Sequence, residues 1–253
     1  MCIRDRLGKR IGFRKDPMRP HNVPFVLLGA GLLWFGWFGF NAGSALSANG
    51  QSALAFMNTQ VATAAGVLGW CLVEKLRDGK PTSLGGASGA VAGLVAITPA
   101  CAFLTPLTSI LLGLLAGAVC ALAVGLKYKL GYDDALDVVG VHLVGGIIGC
   151  LYLGFFSSDA INSAATNGLF FGGGATLLGK QAVAAASVFA YSFVVAFILG
   201  WIINKTIGFR ITQDAEVEGV DLNEHSETAY EFDTQSSGGT IPSGQLTGAH
   251  SKE

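Results

Sequence analysis

Residues 133–150 read DDALDVVGVHLVGGIIGC: three carboxylates, then a single imidazole, His142, among Val, Leu, Ile and Gly. The acids suit the start of a helix, where Asp133 and Asp134 can cap backbone N–H groups and meet the positive end of the dipole. Asp137 would lie one turn deeper. His142 can accept and donate protons near neutral pH. An ionisable group is costly in a bilayer and is expected to face a bundle interior or a water-lined path. The plainer alternative is a histidine bonded to a nearby backbone carbonyl. A second constellation is GWFGFNAGSALSANG at 36–50, where Trp37, Phe40 and Ser44 fall at i, i+3 and i+7 and share a helix face. Aromatic stripes usually serve packing or the lipid belt, but Asn41 and Ser44 bring polarity into a stretch that otherwise avoids it.

Other chemistries find no footing. GATLLGKQ at 174–181 approaches the phosphate-loop pattern, but Gln181 replaces the required hydroxyl and no strand precedes it. The sequence has no H-E-x-x-H, no G-x-S-x-G and no two histidines within a helical turn, so neither a metal, a cofactor nor an enzyme activity is expected. His21, His225 and His250 fall in loop or tail. Five cysteines, four of them in apolar segments and none in C-x-x-C spacing, read as reduced packing residues.

The elements that must position these residues are membrane helices. Hydrophobic residues make up 51% of the chain and charged ones 13%, against about 25% charged in soluble domains. The fold class is therefore all-α integral membrane. Six stretches reach the roughly 20 residues a span needs: about 23–45, 53–75, 83–103, 105–128, 136–156 and 181–204. They form one transmembrane domain, 23–205, between a leader and basic loop at 1–22 and an acidic tail at 206–253. The first six residues lack an apolar run behind them and are expected to be a foreign leader rather than a signal peptide. Fourteen Lys and Arg precede span one, separate spans two and three or four and five, or follow span six, against Lys180 alone on the other side. That bias puts both chain ends in the cytoplasm. Glycines four apart, at 39/43, 85/89/93, 113/117 and 145/149, predict close helix packing.

Three motifs in order, WFGFNAGSALSANG, GKPTSLGGASGAVAGLVAITPAC and DDALDVVGVHLVGGIIG, resemble the ammonium transporter (Amt/Mep/Rh) family, specifically its bacterial Amt branch. The likeness runs from about residue 7 to 230. The family fold has eleven transmembrane helices, and this chain resembles the last six, so it is expected to be a carboxyl-terminal fragment. The resemblance implies an inner (plasma) membrane homotrimer with a narrow apolar pore in each subunit. His142 matches the second of two facing pore histidines that handle protons, Phe40 one of two gate phenylalanines, and Trp37 an aromatic of the same wall. Ser44 matches a hydroxyl of the outer binding site, Val91 and Val138 apolar residues of the inner mouth, and Asp137 an acid at the cytoplasmic helix end. Leu143 and Ser226 stand where the family usually has Gly. The implied partners are ammonium or ammonia, membrane lipid and a PII-type signalling protein at the cytosolic face, with no nucleic acid. The fragment alone is expected not to transport. A non-transporting ammonium sensor on the same fold is the alternative.

Overall fold

The structure, a computed structural model, describes residues 8–15 and 18–228; the leader at 1–6 and the tail end at 229–253, with Tyr230 and His250, lie outside the described residues. Among the described residues all regular structure is helical. The chain divides into a unit ending at Arg210 and a unit beginning at Ile211.

The first four long helices start where the sequence offers a side-chain oxygen to the orphan N–H groups of the first turn, whereas the last, which follows Ala175, has no such cap. Asn22 caps α1 (Val23–Gly43), accepting from Phe25 N at 3.0 Å. Asn49 and Ser52 form a reciprocal capping box on α2 (Gly50–Asp78), which Gly79 ends in the left-handed region at φ 82°. Thr82 caps α3 (Ser83–Ile97), and Thr105, followed by Pro106, caps α4 (Pro106–Ala123). A short α5 (Leu126–Leu130) leads through a loop to a π-helical turn (Val139–Leu143) that continues as α6 (Val144–Phe156). A 3-10 turn (Leu169–Phe171) precedes α7 (Thr176–Thr206).

The core is α2 held between α3 and α4. Lipid tails give helices no hydrophobic reason to associate, so close backbone approach must do it. A Cβ on Gly113 would collide with the Ala62 carbonyl and one on Gly117 with the Gly66 carbonyl; Gly93 likewise abuts Ala62 and Thr63. The spaced glycines at 89/93, 113/117 and 149 thus work as packing devices, whereas Gly39 and Gly43 meet nothing within 4 Å. One apolar cluster joins Ala62, Ile97, Leu104, Leu112 and Tyr152, and a second joins Trp70, Cys120 and Val141. Helix α7 packs chiefly on α6, and α1 on α2 and α3; both are apolar around most of their circumference and largely exposed.

Five helices are long and apolar enough to cross a membrane, and Ser83–Ile97 is a shorter apolar helix. Its 15 residues rise about 22 Å, so the expected span 83–103 is corrected: the helix stops six residues early. Pro99 breaks the ladder, Thr98 Oγ1 turns back to Leu94 O at 2.7 Å, and buried Asn58 donates to Cys101 O and Leu104 O at 2.7 and 2.8 Å. Irregular backbone at membrane depth is tolerated where protein satisfies it in this way. The span expected at 136–156 starts at Val138 instead, so Asp137 precedes the helix rather than lying one turn inside it, and its φ is 56°. In the second unit, Thr212 caps the short α8 (Gln213–Glu218), which is followed by a π-helical turn (Asp221–His225).

Candidate functional site

The loop before α6 is fixed by its three acids, each differently. Asp134 is buried, and its two carboxylate oxygens accept from Val138 N at 3.1 Å and Val139 N at 2.7 Å, which makes it the helix cap. Asp133 does not cap; it accepts from the backbone N and Nη1 of Arg10 at 3.0 and 2.8 Å. Asp137 pairs with the buried Lys127 ammonium, which also donates to Asp134 O at 3.1 Å. Together they hold the basic segment 8–15, α5 and the start of α6 to one another.

His142 sits in the π-helical turn that this capping begins. Such turns are rare and frequent at functional sites. The ring is exposed and makes no hydrogen bond with any described residue, so the carbonyl-bonded alternative does not hold. It lines a groove of about 550 Å³ between α6 and α7, together with Val138, Ile147, Gln181, Phe189 and Phe193. The remaining wall is mostly small and apolar.

Across the bundle, Trp37 and Phe40 meet edge to face with ring centroids 6.1 Å apart. Trp37 Nε1 donates to Thr98 Oγ1 at 2.8 Å, which ties the ring to the turn after α3. Ser44 Oγ donates to Phe40 O, and buried Asn41 donates to Thr59 Oγ1 at 2.9 Å. Phe40, Asn41, Ser44, Gln51 and Thr98 line a second cavity of about 380 Å³. Phe40 is not among the residues lining the His142 groove, and His142 is not among those lining the Phe40 cavity. Phe40 and Trp37 therefore do not share the groove of His142. Val138 lines the groove with His142, whereas Val91 packs, half-buried, against the cluster of Trp70, Cys120 and Val141.

Three partners escaped the sequence reading. Thr98 and Thr59, which carry no motif signal, hold Trp37 and Asn41. Glu74, 9% exposed, accepts from Trp70 Nε1 at 3.1 Å and from Thr82 N at 2.7 Å, and so joins α2 to the start of α3. A carboxylate embedded in WCLVEKL was the available signal.

The sequence model of the Ammonium Transporter Family matches residues 3–230. The chain belongs to the ammonium transporter family. It is 54% identical over 241 residues to an ammonium transporter of Mycobacterium bovis, covering 93% of this chain and 50% of that protein. It is 49% identical over 224 residues to one of Bacillus subtilis, covering 87% and 55%. The crystal structure of Saccharomyces cerevisiae Mep2 superposes with a TM-score of 0.77 at 35% identity, over 84% of this chain and 51% of that one. A sensor Amt protein gives 0.78 at 29% identity, over 88% and 56%. The chain thus spans about half the length of the curated relatives it matches. Membership makes it a multi-pass membrane protein with the all-α fold of that family.

Proposed function

We propose that the chain forms one wall of an ammonia-conducting pore and that His142 handles the proton. The observation that carries this reading is the unpartnered imidazole on a π-helical turn, open to an apolar groove. A dehydrated ammonium ion in such surroundings is very costly, while neutral ammonia enters readily. An imidazole can take up or pass on the proton left behind. Phe40, with Trp37 fixed behind it, offers an aromatic face to a cation at the other end of the chain's bundle, and Ser44 offers a hydroxyl beside it. Val138 would line the inner mouth beside His142, with Val91 behind it, and Asp137 would fix the helix end.

Because the chain spans half the length of its relatives, the groove beside His142 and the bare face of α1 are the surfaces a further set of helices would cover. The chain alone is then inactive. The basic connections support an orientation with both ends in the cytoplasm of an inner-membrane protein. Family membership supports a homotrimer and a PII-type partner at the cytosolic face. The likeness to a sensor Amt protein supports the second reading, a sensor; higher identity to proteins named as transporters favours transport. The test is methylammonium uptake in transport-deficient cells. Residues 1–253 alone should give background uptake, and the chain joined to the amino-terminal half of a relative should restore it. Uptake by the chain alone would overturn the half-pore reading, and none from the joined protein at normal membrane abundance would favour the sensor.

A further inference from the structure

The π-helical turn that carries His142 breaks the regular helical ladder. At its end the Val144 N–H is divided between Val139 O and Val141 O, five and three residues back, in place of the carbonyl four back that an α-helix would use. A carbonyl that holds only part of one donor can take another, and Val141 O meets one from a different helix. Cys120 Sγ, near the end of α4, lies 3.7 Å from it, within the reach of a thiol donor. The Cys120 side chain is 0% exposed.

The fit around that contact is close on both sides. A Cβ on Gly140 would come within 2.8 Å of Val124 Cα and 2.9 Å of its N, and one on Gly145 would lie 3.5 Å from Cys120 Sγ and 3.4 Å from Val95 Cγ1. The two glycines therefore let the turn lie flush on the end of α4, with the sulfur against both Val141 O and Gly145. Val141, 4% exposed, packs into the cluster of Trp70, Ala92 and Cys120. The next residue is His142, whose ring is exposed to the groove. Successive helical residues are about 100° apart, so a turn that slipped to the α register by one residue would carry the imidazole off the groove.

We propose that Cys120 is a positioning residue for His142: its thiol donates to Val141 O, holds the turn in its π form and so presents the imidazole to the groove. Asp134 fixes the start of the same turn through Val138 N and Val139 N, and Cys120 fixes its far end from α4. The consequence for transport rests on the reading of His142 as the proton carrier, whereas the geometric claim does not. A buried cysteine ordinarily acts as a small apolar filler, so the test must separate the donor from the filler.

The test uses the purified full chain in detergent. In its infrared spectrum, the S–H stretching band lost in Cys120→Ala should lie at lower frequency than the band lost in Cys150→Ala, because the Cys150 thiol makes no hydrogen bond with any described residue. Cys120→Ala should speed exchange of the Val144 and Gly145 amides about two- to fivefold, the worth of a thiol–carbonyl bond. It should also move the ring NMR signal of His142, identified by its loss in His142→Leu, and leave that of His225 in place. Cys120→Val, which fills the space but donates no hydrogen, should move the His142 signal too. In the completed transporter, the chain joined to the amino-terminal half of a relative, Cys120→Ala should lower the maximal rate of methylammonium uptake by up to about fivefold. Half-saturation should stay unchanged, because the Phe40 cavity is separate. A Cys120 band at the Cys150 frequency, a His142 signal unmoved in Cys120→Ala, or one restored by Cys120→Val would overturn the proposal and leave the sulfur as packing. If the ring signal moves in both variants while uptake ignores Cys120→Ala and His142→Leu alike, the positioning stands and the proton-handling reading fails.

Discussion

Removing the Asp134 carboxylate should loosen the turn that carries His142 before it disturbs the rest of the bundle. Asp134 is 1% exposed, and both oxygens are taken by Val138 N and Val139 N. Asp134→Ala deletes a helix cap worth about 1 kcal/mol and leaves two N–H groups without their acceptor in a place water barely reaches, at about 1–3 kcal/mol each if neither finds another. Partial rescue by bundle relaxation makes a net cost of about 2–3 kcal/mol the reasonable expectation. Asp134→Asn keeps one carbonyl oxygen and should cost about half as much. Hydrogen exchange on the detergent-solubilised chain reads this locally: amides at 138–143 should exchange about 30–150-fold faster in Asp134→Ala, following tenfold per 1.4 kcal/mol, while those of α2 and α4 change little. Equal protection at 138–143 in the variant and the unaltered chain would show that the cap does not hold the π turn, and the link from sequence to His142 geometry would fail.

Gly117→Val puts a branched side chain against the Gly66 carbonyl, which is backbone and cannot yield; a loss of about 1–3 kcal/mol is expected in a denaturant titration followed by circular dichroism, and an unshifted midpoint would contradict the packing. Glu74→Ala should leave Trp70 Nε1 and Thr82 N unpaired and destabilise by about 2–4 kcal/mol, whereas Glu74→Gln, which still accepts one bond, should cost clearly less. Trp37→Phe removes the bond to Thr98 Oγ1 and should cost about 1 kcal/mol, a loss absent when Thr98 is already Val. Burial first, and the Asp137 charge second, push the Tyr132 phenol above its ordinary 10.0. A raised acid favours the protonated fold, so this contribution is full below the unfolded value and lost as pH rises through the folded one; Tyr132→Phe should flatten that alkaline loss.

The six apolar helices were legible because hydropathy needs only composition and length, and the charge in the connections marked their ends. The end of α3 was not, because 98–104 is as apolar as a helix and is held open by Asn58 from some forty residues away, a contact no local pattern reports. The acids before α6 were legible as a group but not as individuals: only the fold separates the cap, Asp134, from the partners of Arg10 and Lys127. Spacing placed Trp37, Phe40 and Ser44 on one helix face; the structure joins Trp37 and Phe40 through an edge-to-face contact and puts Ser44 at the cap just past the end of α1. It could not give the rotation of α1 relative to α6, so the separation of the Phe40 cavity from the His142 groove came only from three dimensions. Glycine spacing predicted close approach correctly along α3, α4 and α6, and failed at Gly39 and Gly43 because no described helix comes near them.

The central claim is that the His142 ring belongs to the conduit. The most direct measurement is methylammonium uptake by the completed transporter, in which this chain is joined to the amino-terminal half of a relative, with His142 intact or replaced by Leu at matched membrane abundance. Leu keeps the groove apolar but removes the proton carrier, so the account predicts uptake that falls to background or no longer responds to a pH gradient. Uptake unchanged in rate and in pH response would mean that the imidazole takes no part in conduction.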